Sequence, residues 1–266
     1  MKHLPNLLTL GNLFCGCLAI ACILSAQPYY YVRVDNGMPT FNWVYGVEQL
    51  CFGSLFIFIA ALCDLLDGLT ARALKVFSPI GKDLDSLADV VSFGVAPSMI
   101  LYKLLFDAAI QEYNAFEVSM LSMAPAFLIA CFAALRLAKF NITSDSQKSH
   151  FIGMPVPATG IIVASLPLII WWHRSDIAVK ITYWLQYKWL LYCIIALLCF
   201  LMVSKVKFFK MIPAKMKIAW MWPQLVLLVG AGIAIPFLEF AAIPVAFILY
   251  ILLSLVYKQP ITAEKQ

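Results

Sequence analysis

From Leu4 to Ala26 the chain carries no charged residue: LPNLLTLGNLFCGCLAIACILSA. A helix of about twenty apolar residues rises about 30 Å, the thickness of bilayer hydrocarbon. In lipid every backbone N–H and C=O must be paired inside the protein, so a single run of this kind crosses as a helix. Leu24 does not suit a small-x-small leader cleavage site, so a first transmembrane helix is expected. Comparable runs recur to the far end of the chain, at about 45–74, 82–106, 116–139, 156–173, 183–204, 218–236 and 238–257. The last two are joined by IPFLEF and read as a tight hairpin. With 63% hydrophobic and 12% charged residues and a mean hydropathy of +0.90, the chain is too apolar for a soluble domain. The expected class is all-α: a polytopic integral membrane bundle of about eight transmembrane helices. Residues 27–44, with Pro28, Asn36-Gly37 and Pro39, read as an extramembrane loop, and Tyr29, Tyr30, Tyr31 and Trp43 suit its membrane interface.

Charge sets the orientation. With eight spans, fourteen of the nineteen Lys and Arg residues fall on one side and five (Arg33, Lys103, Arg174, Lys180 and Lys188) on the other. The positive-inside rule places both termini in the cytoplasm, with the loop between the second and third spans. Lysines 205–217 read either as topogenic or as a contact for anionic head groups. The eight cysteines all lie in apolar segments without metal spacing, and read as small packing residues. His3, His150 and His173 lack ligand spacing, which leaves a catalytic histidine unsupported.

Against this apolar background one stretch, DLLDGLTARALKVFSPIGKDLDSLAD from Asp64 to Asp89, concentrates carboxylates. Asp64 and Asp67 are three residues apart and Asp85 and Asp89 four, so each pair shares a helix face. If one helix ends near Leu74 and the next begins near Gly81, all four stand at similar depth, about 6–15 Å from the turn. Carboxylates without counter-charge in a low-dielectric site repel one another. A hard divalent cation resolves the conflict, and oxygen-only ligands suit Mg²⁺, Mn²⁺ or Ca²⁺. Two such ions are a standard device for phosphoryl-type displacement. The competing readings are a solvated helix face and a cation-transport site. Intramembrane acids are costly, which disfavours the first. Transport sites favour mid-bilayer ligands on broken helices in repeated halves, whereas these acids lie toward one membrane face in a chain without repeats.

The spacing Asp64-x-x-Asp67-Gly68-x-x-Ala71-Arg72, eight residues, Gly81-x-x-x-Asp85-x-x-x-Asp89 resembles, at every fixed position, the signature of the CDP-alcohol phosphotransferases. Pro5-Asn6-Leu7-Leu8-Thr9, Ser92-Phe93-Gly94-Val95-Ala96-Pro97, Leu135-Arg136-Leu137-Ala138-Lys139-Phe140-Asn141 and Phe151-Ile152-Gly153-Met154-Pro155-Val156-Pro157 are similar to its bacterial and archaeal serine-accepting branch. The resemblance implies a six-helix core, with residues 1–182 as the catalytic part and 183–266 completing the core and adding two C-terminal spans. It implies that Asp64, Asp67 and Asp85 bind Mg²⁺ or Mn²⁺, with Asp89 as ligand or general base. It implies transfer of the phosphatidyl group of CDP-diacylglycerol to L-serine, with glycerol 3-phosphate, inositol phosphate or another alcohol as the alternative acceptor, by a homodimer in the cytoplasmic (inner) membrane among its lipids. No nucleic-acid partner is implied. Gly68 and Ala71 would leave room for the nucleotide or allow close helix packing; Gly81 would admit the nucleotide or start its helix. Arg72 would hold the pyrophosphate, neutralise Asp67 or mark a cytoplasmic flank. Asn6 and Thr9 would line the nucleotide pocket, with helix capping an equal reading for Asn6. Ser92, Arg136 and Asn141 are candidates for the acceptor or lipid-phosphate site, and snorkelling to the interface is the other reading of Arg136.

Overall fold

The computed structural model describes residues 4–35, 38–74, 79–112, 118–143, 151–172, 176–204, 206–208 and 222–256. Helix α1, Leu4–Ser25, buries Pro5, Thr9, Asn12, Gly16, Ala19 and Ile23. That stripe advances in alternating steps of four and three residues, the spacing of a helix face pressed on neighbours. α2, Val47–Leu74, buries Leu50, Gly53, Ser54, Ile57, Ala60 and Asp67. The two pack antiparallel along their length. In a bilayer such contact is driven by close packing rather than by hydrophobicity, so small residues mark it. Gly53 is one: a Cβ there would stand 2.6 Å from Ile23 Cγ1.

After α2 the chain returns as α3, Pro79–Asp89, a π-helical stretch, Val90–Val95, and α4, Ala96–Glu112. α1 packs on all three pieces. The wide turn of the π stretch buries Ser92, Phe93 and Gly94. Phe93 sits against Gly160 and Gly94 against Ala130 and Ala133, again glycines where a Cβ would crowd its neighbour. A short helix α5, Met120–Met123, leads through one 3₁₀ turn into α6, Leu128–Thr143. α7, Val156–Trp171, fills the centre against α2, α4 and the π stretch. α8, Asp176–Leu185, and α9, Lys188–Val203, follow, then α10, Trp222–Leu238, and α11, Ala242–Val256.

A short strap ties the end of α9 back to the start of α7. The two-residue strands Phe151–Ile152 and Lys207–Phe208 pair antiparallel; the Gly153 amide donates to the Val206 carbonyl at 2.9 Å and the Met154 amide to the Leu201 carbonyl at 3.0 Å. Carbonyls at a helix end, which lack partners within the helix, are satisfied this way. Gly153 adopts φ +77° there, and a Cβ would collide with the Met202 carbonyl, so the position requires glycine.

Among the described residues, five helical stretches are long and apolar enough to cross a bilayer, and a bent pair makes a sixth. The architecture is a polytopic helical membrane bundle. Three features differ from the sequence expectation. Residues 28–45 are not a plain loop: Pro28–Asp35 and Met38–Tyr45 form an antiparallel hairpin in register from Pro28↔Tyr45 to Asp35↔Met38, because both arms are rich in aromatic and β-branched residues. The expected span from residue 183 is broken. α8 and α9 meet at 85° around Gln186–Tyr187, and Tyr183, Trp184 and Tyr187 are exposed, as residues at head-group level are. The count of about eight spans is not reached by length alone, because Val156–Trp171 is short and Gln224–Ser254 counts as one stretch. That last stretch nevertheless folds back, since a Cβ on Gly230 would lie 2.8 Å from Leu249 Cδ2 and Glu239 takes φ +52° at the reversal. His3, His150, His173 and most of the lysine-rich 205–217 segment lie outside the described residues.

Candidate metal centre

The buried face of α2 runs from Ile57 and Ala60 on to Asp64 and Asp67, one and two turns further along. α3 presents Asp85 and Asp89 one turn apart. The fold brings one carboxylate oxygen each from Asp64, Asp67 and Asp85 within 4.8 Å of one another. Asp67 is 7% exposed and Asp89 6%, so these acids do not form a solvated helix face.

α1 supplies neutral donors to two of the four. The Thr9 hydroxyl donates to Asp67 Oδ2 at 2.6 Å, with the Pro5 carbonyl a longer alternative at 3.1 Å. The Asn12 amide donates from Nδ2 to Asp89 Oδ1 at 3.2 Å. Asp89 stands outside the group of three but within electrostatic reach of Asp64, Asp85 and Asp67. Arg136, half-buried on α6, stacks its guanidinium over Phe140 at 5.5 Å and feels the charge of Asp89.

The three-carboxylate group fits a divalent cation. Around one octahedral Mg²⁺, ligand oxygens stand about 3–4 Å apart, so a set within 4.8 Å closes on an ion with little movement. Asp85 Oδ1 is buried without a hydrogen-bond partner among the described residues. A buried acceptor left unsatisfied is costly, and coordination to a cation removes that cost.

The other candidates separate by position. Gly68 is open on its outer side: a Cβ would meet only the Arg72 guanidinium, at 4.0 Å, and Arg72 Nε donates to the Gly68 carbonyl at 3.0 Å. Ala71 and Gly81 are half-buried, Gly81 in the first turn of α3. Asn6, also half-buried, lies within the first turn of α1. Ser92 is fully buried and its hydroxyl donates to the Asn12 carbonyl at 3.0 Å, in the seam between α1 and the π stretch. Asn141 Nδ2 donates to Ser86 Oγ at 2.9 Å, and Lys82 Nζ donates to the Asn141 carbonyl at 3.1 Å, joining α3 to α6. Sequence reasoning missed Asn12. Its signal was present, because Asn12 continues the Pro5–Thr9 stripe by one step.

A family model described as CDP-alcohol phosphatidyltransferase matches residues 2–258. The chain is 33% identical over 166 residues to the CDP-diacylglycerol–serine O-phosphatidyltransferase of Bacillus subtilis, covering 62% of this chain and 76% of that one. A protein of the same name from Helicobacter pylori strain J99 is 34% identical over 166 residues, with 62% of this chain and 57% of the relative covered. For the Saccharomyces cerevisiae protein of that name the values are 32% over 176 residues, 62% and 53%. The match thus spans little more than half the length of those last two relatives.

Proposed function

The chain belongs to the CDP-alcohol phosphatidyltransferase family, and from that premise we propose that it transfers the phosphatidyl group of CDP-diacylglycerol to the hydroxyl of L-serine, releasing CMP. One observation carries the reading: the convergence of Asp64, Asp67 and Asp85 oxygens in one group, Asp67 buried and the other two half-buried, with Asp89 beside it. The names of the relatives supply the acceptor.

The chemistry follows from the charges. In the reaction the serine O–H bond breaks and a new bond forms from that oxygen to the lipid-proximal phosphorus. The bond from that phosphorus to the CMP oxygen breaks, and CMP leaves with negative charge. When bound by Asp64, Asp67 and Asp85, Mg²⁺ or Mn²⁺ supplies charge neutralisation at the two phosphates. Asp89 accepts the serine proton. Thr9 keeps the Asp67 carboxylate in place from α1. Arg72, exposed over the open side of Gly68, is positioned to hold the pyrophosphate, and Gly68, Ala71, Gly81 and Asn6 border the nucleotide. Arg136, on the Asp89 side, is the anion site for the serine carboxylate. Asn141 and Ser92 act by fixing α3 and the π stretch.

The same proposal includes an arrangement of about eight spans. The reversal at Glu239 supports two arms in the C-terminal region, and the buried residues of α7, Val156–Trp171, support a short span at the centre of the bundle. Both termini and the mouth of the site face the cytoplasm, residues 1–182 carry the chemistry, and the working unit is a homodimer. The test is an acceptor panel on the purified protein in lipid, with labelled CDP-diacylglycerol and Mg²⁺ or Mn²⁺. CMP release and lipid product are expected with L-serine well above glycerol 3-phosphate, inositol phosphate or ethanolamine. Ethanolamine keeps the amine and hydroxyl and lacks the carboxylate, so it isolates the part played by Arg136. Equal or faster turnover with glycerol 3-phosphate overturns the acceptor assignment, and no CMP release with any alcohol overturns the activity.

A further inference from the structure

Asn12 is fully buried, and its amide has a single described partner. Nδ2 donates to Asp89 Oδ1 at 3.2 Å, while Oδ1 is buried with no hydrogen-bond partner among the described residues. The orientation is fixed by chemistry: turned over, the amide oxygen would face a carboxylate that offers only lone pairs. A buried amide with an unsatisfied oxygen is a liability to the fold. The contact that compensates for it is the bond to Asp89.

The backbone at Asn12 is clamped as well. Its carbonyl accepts the Ser92 hydroxyl at 3.0 Å, and one turn on, Gly16 lies so close to Ser92 that a Cβ would stand 2.9 Å from the Ser92 Cα. Asn12 is therefore held through its main chain to the same helical segment whose carboxylate it grips through its side chain. Meanwhile Asp64, Asp67 and Asp85 converge, and Asp89, within reach of their charges, stays outside the group.

We propose that Asn12 is a positioning residue that holds Asp89 out of the cation-binding group of Asp64, Asp67 and Asp85, keeping one carboxylate oxygen for the acceptor's proton. This rests on the reading of Asp89 as proton acceptor. A neutral donor suits this role, since it engages one Asp89 oxygen and adds no charge that competes for the cation. Released from Asn12, Asp89 can swing inward as a fourth anionic ligand.

The test compares wild type, Asn12→Leu, Asp89→Asn and the double variant as full chains in lipid, using Mn²⁺ as the probe. Asn12→Leu is expected to bind Mn²⁺ several-fold more tightly, because ligand charge count sets affinity in such sites. Its melting temperature should stay at the wild-type value, and kcat should fall about 10²-fold at unchanged KM for CDP-diacylglycerol, the cost of a misplaced catalytic group. In the double variant Mn²⁺ affinity should return to that of Asp89→Asn. Unchanged or weaker Mn²⁺ binding in Asn12→Leu overturns the proposal, and so does a lowered melting temperature that accounts for the lost turnover. If the wild type releases no CMP with any alcohol, the proposed activity falls, while the Mn²⁺ comparison still decides the role of Asn12.

Discussion

Gly16→Ala places one methyl group in the seam that joins α1 to the π stretch. The new Cβ would stand 2.9 Å from Ser92 Cα and 3.1 Å from Ser92 Cβ, and would collide with the hydroxyl. Carbon atoms in contact prefer about 3.5–4.0 Å. The nearest carbon is a main-chain atom that no rotamer change can move, so α1 has to retreat by roughly 0.6–1.1 Å. Overpacking of this size costs about 1–3 kcal/mol. The retreat is more damaging to function than to stability. Asn12 lies one turn away on the same face, and lengthening its 3.2 Å bond to Asp89 by that amount breaks it. Turnover is expected to fall about 10²-fold, the usual consequence of an ångström of misplacement.

Two further glycines calibrate the measurement. Gly53→Ala brings a Cβ 2.6 Å from Ile23 Cγ1 and 3.2 Å from the Ala19 carbonyl, a clash of similar size but far from the carboxylates. It should lower the melting temperature and spare turnover of the surviving fold. At Gly232 no atom lies within 4 Å of an added Cβ, so Gly232→Ala should be silent. Ser92→Ala should not rescue Gly16→Ala, because the Ser92 Cα and Cβ remain. Melting curves in lipid nanodiscs and CMP release give both quantities. If Gly16→Ala matches Gly232→Ala in both, the seam does not position Asn12 and the reasoning fails.

Other expectations follow from the same geometry. Asp64→Asn and Asp67→Asn should lose activity chiefly through metal affinity, and titration with Mg²⁺ or Mn²⁺ should partly restore them. Asp89→Asn should keep metal and CDP-lipid binding yet stay about 10²–10⁴-fold slow at any metal concentration, the usual contribution of a general base. Full rescue of Asp89→Asn by metal would make Asp89 a ligand only. For orientation, a cysteine placed at Ser78 in a variant stripped of native thiols should react with an impermeant reagent only from the cytoplasmic side, as the proposed orientation, based on the Lys and Arg count, requires. Labelling from outside would reverse the topology.

The sequence was most informative where lipid narrows the options. Most apolar runs became helices near their expected bounds, because an unpaired backbone is not tolerated in hydrocarbon. The acidic pairs were legible for a related reason, since charge in that setting needs a purpose. The hairpin at 28–45 departs from the loop reading because Asn36-Gly37 marks hairpin turns as well as loops. Flanked by Tyr30, Tyr31 and Val32 on one side and Phe41, Trp43 and Val44 on the other, that dipeptide is a strong hairpin signal. The bend between α8 and α9 was hidden by Trp184, Leu185, Trp189 and Leu190, which keep the run apolar across a break in direction. The seam of Gly16 with Ser92 and the bond from Asn12 to Asp89 link residues nearly eighty positions apart, and no local pattern encodes a tertiary contact of that range.

The division of roles between the helices follows from what each can contribute to a cation site inside a membrane. α2 and α3 carry the negative charge, and a bilayer tolerates four carboxylates only if the protein settles where their lone pairs go. A cationic partner from α1 would compete with the metal for the same oxygens. α1 instead carries a run without a single charged residue from Leu4 to Ser25, and offers Thr9 and Asn12. These neutral donors take up one oxygen of Asp67 and one of Asp89 without cancelling their charge. Asp85 Oδ1 is left unpartnered among the described residues, and Asp85 contributes one oxygen to the group it forms with Asp64 and Asp67. α1 can reach both acids only by lying flush against α2 and the π stretch, which is why Gly16 and Gly53 stand where a larger side chain would hold the helices apart. The packing that joins α1 to the bundle and the arrangement that orders two of the four carboxylates are therefore the same contacts.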